Sequence, residues 1–203
     1  VRARLERQGL TPLYMVPWPS QGFYTRTEIK SVEDLRGQRF RSYNVLTTRM
    51  AELMGAAPVT VQVAEIPQAF ATGVIAAMFT SAQTGVDTAA WDYARVFTDV
   101  GGMRAKNYVF ANTRAFRALD EATRNAVLAA AQRAAVRGLA EAKAAENEMS
   151  ERLRSRGMQV VTPSAQLMTQ LREIGARQTQ EWAQRAGPEG AQVLERYRAA
   201  MPR

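Results

Sequence analysis

The stretch VEDLRGQRFRSYN, residues 32–44, frames the reading of the whole chain. Its acidic start predicts a short helix, Gly37 a turn, and Gln38 to about Tyr43 a strand. Side chains alternate along a strand, so Phe40 and Ser42 take one face while Arg39, Arg41 and Tyr43 take the other. Arg41 then falls near the carboxyl end of the strand, where open α/β sheets bind their ligands. A guanidinium there could grip a carboxylate through two parallel hydrogen bonds, which lysine cannot reproduce. An ion pair with a neighbouring Asp or Glu is the commoner use of such an arginine. The pattern alone leaves both readings open.

Outward from this stretch, residues 14–112 alternate short β-like runs with turns and helix-like segments, the pattern of an α/β fold. From Asp120 to Arg156 the character changes. There is no proline and a single glycine, and Leu128, Ala131, Ala135, Leu139, Ala142, Met149 and Leu153 recur at helical steps. This predicts one long amphipathic helix, capped by Asp120 with Glu121 in its first turn, and closed by Arg152, Arg154 and Arg156 before Gly157. Such length implies a coiled coil or an element that crosses more than one domain, and the alanine-rich seam argues against a zipper. A short strand, Met158 to Val161, follows. Thr162 and Pro163 are placed as cap and first-turn residue of a further helix bearing Leu167, Leu171, Ile174 and Trp182 on one face. Gly187, Pro188 and Gly190 are expected to end it before a last helix from Ala191 to about Ala200.

With 203 residues, 46% apolar and 23% charged, the chain has an ordinary globular composition, and no uniform apolar run long enough to span a membrane. It starts at Val1 without a signal-like segment. Zero cysteines remove disulfides, thiolate metal sites and cysteine nucleophiles, and suit an oxidising compartment. Zero histidines remove the commonest general base and transition-metal ligand. No paired-carboxylate or glycine-rich phosphate motif stands out, so the expectation is a non-enzyme without cofactor. The net charge of +8 raises the alternative of a basic nucleic-acid-binding or helical scaffold protein. The arginines are dispersed, mostly beside Asp or Glu, and form no dense basic run with aromatics, which argues against nucleic acid as partner.

Four segments in order carry a family resemblance. Asp34-Leu35-Arg36-Gly37-Gln38-Arg39-Phe40-Arg41 resembles the D-L-K-G-x-K-x-R motif of the solute-binding proteins of tripartite ATP-independent periplasmic (TRAP) transporters, the DctP-type family. Gly55-Ala56-Ala57-Pro58-Val59 resembles its G-A-x-P segment, and EIPQAFATG, residues 65–73, its E-x-Y-x-A-L-x-x-G helix. NYVFANTRAFRA, residues 107–118, resembles the strand and short helix that precede the family's long helix. The resemblance implies a periplasmic protein that captures a small organic acid and hands it to the membrane subunits of a TRAP transporter. It implies a periplasmic-binding-protein-like (type II) α/β architecture of two lobes, here mainly the C-terminal lobe plus a long lobe-spanning helix. Residues 1–108 would be mostly the second lobe, 109–157 a crossover strand and the long helix, and 158–203 a closing strand and helices, with most of the first lobe absent.

In that family the last arginine of the first motif binds the ligand carboxylate, and Arg41 occupies its position. The family's V-V-D-G reads Val74-Ile75-Ala76-Ala77 here, without its polar pair. Thr80 matches a position where many relatives place a ligand-contacting Asn, so Thr80 or Ser81 is expected at the ligand. Gln21 stands where some relatives carry a second arginine, and with Trp18 nearby it suits a less charged, aromatic or branched monocarboxylate. Tyr43 and Asn44 could wall and orient the ligand, or cap the next helix. Thr84-Gly85-Val86-Asp87 fits a capping box, which commits the Thr84 hydroxyl to the backbone. Trp91 and Tyr93 read as core aromatics. No metal is expected, although some relatives bind one beside the carboxylate and oxygen ligands would allow it.

Overall fold

The computed structural model describes residues 2–200. Strands β1 (Leu10–Pro17) and β7 (Lys106–Asn112) pair antiparallel as a two-stranded sheet. The other six strands form one mixed sheet: β2 (Gln21–Thr25), β3 (Arg39–Ser42), β4 (Ala57–Thr60), β5 (Ala77–Ser81), β6 (Val96–Gly102) and β8 (Gln159–Val161). Their order is β4-β3-β5-β2-β6-β8, with β2 antiparallel to both neighbours and the remaining pairs parallel.

Both faces of the large sheet are covered, and the alternation of its strands shows how. Phe23, Phe40 and Phe79 enter one apolar cluster with Met50, Leu167, Leu171 and Ile174. Their sequence neighbours Tyr24 and Met78 enter the other, with Phe70, Ile75, Phe97, Met149 and Leu153. The first cluster is roofed by α2 (Val45–Leu53) and α7 (Ala165–Ala200), the second by α3 (Ile66–Ala71), α4 (Ala82–Asp87) and α6 (Glu121–Ser155). Each large side chain so buried contributes about 1.5–3 kcal/mol by transfer from water. A strand between two such layers has no solvent face, so a polar side chain on it needs a reason.

The long helix forms as its pattern predicts. Asp120 caps α6 through Thr123 N–H at 2.8 Å, and the helix runs 35 residues. It packs on β1 of the small sheet and on α4 and β8 of the large one, so it ties the two sheets together. One other boundary differs from expectation. Ser164, not Thr162, caps α7: its Oγ accepts Leu167 N–H at 3.0 Å while its own hydroxyl reaches the Lys30 carbonyl, and Thr162 and Pro163 lie before the helix. The expected break at Gly187 and Pro188 is present: α7 is two helices joined across a kink there, and the second already contains Gly190. Gly187 sits at φ 65°, ψ −157°, and Pro188 follows it, where a missing N–H costs little because helical bonding restarts there.

Candidate functional site

Strand β3 turns Phe40 into the α2–α7 layer and therefore turns Arg41 to the opposite face. There Arg41 is 2% exposed, the bulkiest of the fully buried side chains. Its Nε donates to the Val61 carbonyl at 3.0 Å, and its guanidinium lies 5.0 Å above the centre of the Tyr43 ring. Among the described residues no carboxylate pairs with it, and its Nη groups have no protein acceptor. The ion-pair reading of Arg41 does not survive this geometry. Burial pushes the guanidinium pKa below its ordinary value, with Tyr43 and Tyr93 opposing. A cation this deep costs several kcal/mol of desolvation unless an anion meets it.

The neighbours of Arg41 are polar and aromatic. In the parallel pairing of β3 with β5, Arg41 lies opposite Met78, so Thr80, two residues on, shares its face. Thr80 is buried, and its hydroxyl has no protein partner among the described residues. Next to Thr80 across the sheet, β2 offers Gly22, where a Cβ would lie 2.3 Å from the Thr98 carbonyl oxygen and 2.7 Å from the Phe97 ring, so the glycine serves packing. The Tyr43 hydroxyl donates to Gln21 Oε1 at 2.9 Å, which leaves the Nε2 hydrogens of that buried amide free to donate. Burial raises the Tyr43 phenol above its usual range. Arg41, Tyr43, Thr80 and Gln21 are thus brought together as a patch of donors on an aromatic floor.

Three other predicted residues are placed elsewhere or committed to structure. Asn44 caps α2, its Oδ1 accepting Thr47 N–H at 2.9 Å. Ser81 caps α4, its Oγ accepting Thr84 N–H at 3.2 Å, so the cap belongs to Ser81 and not to Thr84. The Ser81 carbonyl also accepts the buried Tyr24 hydroxyl at 3.0 Å. Trp18 lies in the connection from β1 to β2, its backbone N–H bonded to the Ala105 carbonyl at 2.8 Å. Tyr93, read from sequence as a core aromatic, stacks on Phe70 at 4.6 Å and shares a 2.6 Å hydrogen bond with the Thr88 hydroxyl. It also feels the charge of Arg41, and burial lifts its pKa to about 12. Its place beside the site depends on the loop after α4, for which the sequence carries no motif.

A cavity of about 600 Å³ opens on the opposite face, walled by Met50, Phe79, Met103, Leu171 and Trp182. It belongs to the apolar α2–α7 layer and is separated from Arg41 by the sheet. No group of three or more Asp or Glu among the described residues is placed to hold a metal, and no helix there is long and apolar enough to cross a membrane.

The model of the DctP family, bacterial extracellular solute-binding protein family 7, matches residues 1–185. The chain belongs to this family. Members of the DctP family are extracytoplasmic solute receptors. Two Bordetella pertussis receptors described as binding pyroglutamic acid superpose with a TM-score of 0.94 each: DctP7 at 45% identity over 97% of this chain, and DctP6 at 39% over 98%. A marine metagenome TRAP solute-binding protein described as specific for pyroglutamate has the same score at 33% identity over 98% of this chain. The chain spans 65–66% of the length of these structures. Their mixed α/β binding-protein architecture is the one seen here.

Proposed function

We propose that this DctP-family chain is the carboxylate-anchoring part of a periplasmic receptor that captures a small cyclic monocarboxylate, pyroglutamate, and delivers it to the membrane subunits of a TRAP transporter. The observation that carries the reading is the buried, unpaired guanidinium of Arg41. A ligand carboxylate would supply the missing counter-ion through two charge-assisted hydrogen bonds to the Nη groups. Pyroglutamate adds a neutral lactam, one acceptor and one donor. The free Nε2 donors of Gln21 and the unpartnered Thr80 hydroxyl suit it better than they suit a second carboxylate. Tyr43 and Tyr93 supply the apolar surface for its ring.

In this reading the large sheet forms most of one lobe, the β1–β7 sheet belongs to the other, and α6 runs along both. Closure of the lobes would exclude water, which strengthens each polar contact to the bound acid. Asn44 and Ser81 then act chiefly by holding the ends of β3 and β5 in register, while Trp18 lies in a connection between the two sheets.

The test is native mass spectrometry of the full-length protein for co-purified ligand, followed by melting curves with pyroglutamate, proline, succinate and glutamate. A ligand present at a hundredfold its Kd stabilises by about 2.7 kcal/mol, a shift of several degrees. Pyroglutamate is expected to give the largest rise. A rise from none of the acids would remove the proposal, and a larger rise with succinate would move it to dicarboxylates.

A further inference from the structure

The two sheets are joined by three crossings: residues 18–20, residues 103–105, and α6. The first two run side by side, bonded through Trp18 N–H and the Ala105 carbonyl. The second is bounded by left-handed backbone, with Gly101 at φ 61° and Met103 at φ 31°. A methionine held there is strained, and such positions are where a chain absorbs rotation between rigid parts. Against both crossings stands Glu146 of α6, with its side chain 25% exposed. Its Oε2 accepts from Arg104 Nη1 at 2.6 Å, and both its oxygens face the Ser20 N–H at 3.4 Å. Burial alone would raise this carboxyl, yet the bonds from Ser20 and Arg104 outweigh it and hold the pKa below the ordinary value. One carboxylate therefore pins two crossings to the third.

We infer that Glu146 is the positioning residue of an interlobe hinge: by fastening residues 18–20 and 103–105 to α6, it restricts the range of openings between the two sheets and slows ligand release. Gln21 begins β2 immediately after Ser20, so the clamp also fixes where the Gln21 amide enters the site. Hinge restraint follows from the crossings themselves; only its effect on ligand release rests on the proposed function. The carboxylate is well placed for this because it lies on the crossing that packs against both sheets.

The experiment uses full-length protein carrying spin labels at Glu28→Cys and Arg114→Cys, exposed positions on the large-sheet and small-sheet sides. This chain contributes no other cysteine. In ligand-free protein the label-to-label distance distribution is expected to broaden in Glu146→Ala and in Arg104→Ala alike. The double variant should be no broader than either, because both act through one clamp. Glu146→Gln, which keeps an acceptor for Ser20, should recover part of the wild-type width. Pyroglutamate should leave Glu146→Ala about fivefold faster than wild type, a coupling at the low end of those between separate sites. Unchanged widths in Glu146→Ala and Arg104→Ala would overturn the inference whatever the ligand does. Wild-type protein that ignores pyroglutamate would instead strike at the ligand assignment, with the widths still deciding the hinge.

Discussion

In the proposed function, folding energetics and binding pull in opposite directions at Arg41. A guanidinium that gives one hydrogen bond to Val61 and meets no carboxylate weakens the ligand-free fold, and an apolar side chain of similar volume should not. Arg41→Met is therefore expected to melt at or above the temperature of ligand-free wild type, measured by calorimetry after the ligand is stripped. A drop of several degrees would mean that Arg41 holds the fold together rather than waiting for an anion. Tyr43→Phe isolates a second step. Without the hydroxyl, Gln21 Oε1 loses its donor and the amide is free to turn. A net hydrogen bond is worth about 1 kcal/mol, so roughly fivefold weaker binding of pyroglutamate is expected in a titration, with the melting temperature of the free protein nearly unchanged. The face on which Arg41 points was legible from alternation with Phe40. Its lack of a partner was not, because Val61 and Tyr93 arrive from separate segments with no motif to announce them.

Elements were legible where one signal dominated and misread where two competed. The 35-residue α6 has a single run of periodicity and one cap, and its limits agree with the pattern to within a residue. At α4 and α7 two hydroxyl residues stand within a few positions of each other, and tertiary contacts chose between them. Ser81 is fixed by its pairing with Gln21 and by the Tyr24 hydroxyl on its carbonyl, which makes it the last strand residue and the cap. That same tyrosine makes Gly85 intolerant of a side chain, since a Cβ there would lie 2.0 Å from Tyr24 Oη. Gly85→Ala should lower the denaturation midpoint by the equivalent of about 1–3 kcal/mol, the usual cost of overpacking. An equal midpoint would show that the tyrosine can move. Between α2 and α7 the tie is ionic. Hydrogen bonding from Arg49 holds the Glu181 carboxyl at about 2, down from the ordinary 4.5. A depressed carboxyl stabilises fully above its unfolded pKa and stops doing so as pH falls through its folded one. The tie is thus lost between about 4.5 and about 2, and the stability difference between wild type and Arg49→Met should shrink across that window in urea titrations.

For the whole molecule, the proposal of two lobes makes a claim about surface. Tyr108 and Phe110 on β7, Met15 on β1, and Leu128, Val136 and Leu139 on α6 are exposed apolar side chains on the elements assigned to the smaller lobe or reaching along it. The relatives are about half as long again as this chain, which spans 65–66% of them. Residues 1–203 alone are expected to bind an environment-sensitive hydrophobic dye strongly, and full-length protein much less. Equal binding per mole would mean that the remaining chain does not cover this surface. The fold class was readable because four ordered motifs and one long helix constrain it together. For the ligand, the sequence reading went no further than a less charged, aromatic or branched monocarboxylate; in the proposed function the neutral half of pyroglutamate would be met through the orientation of Gln21 and Thr80, a three-dimensional property.

The central claim is that Arg41 anchors the carboxylate, and calorimetric titration of pyroglutamate into stripped full-length wild type, Arg41→Met and Arg41→Lys tests it most directly. Truncating one partner of a buried charge pair costs about 2–5 kcal/mol, so affinity should fall by roughly thirtyfold or more in Arg41→Met. Arg41→Lys should restore little of it, because an ammonium cannot give two parallel bonds. Binding as tight in Arg41→Met as in wild type would contradict the account.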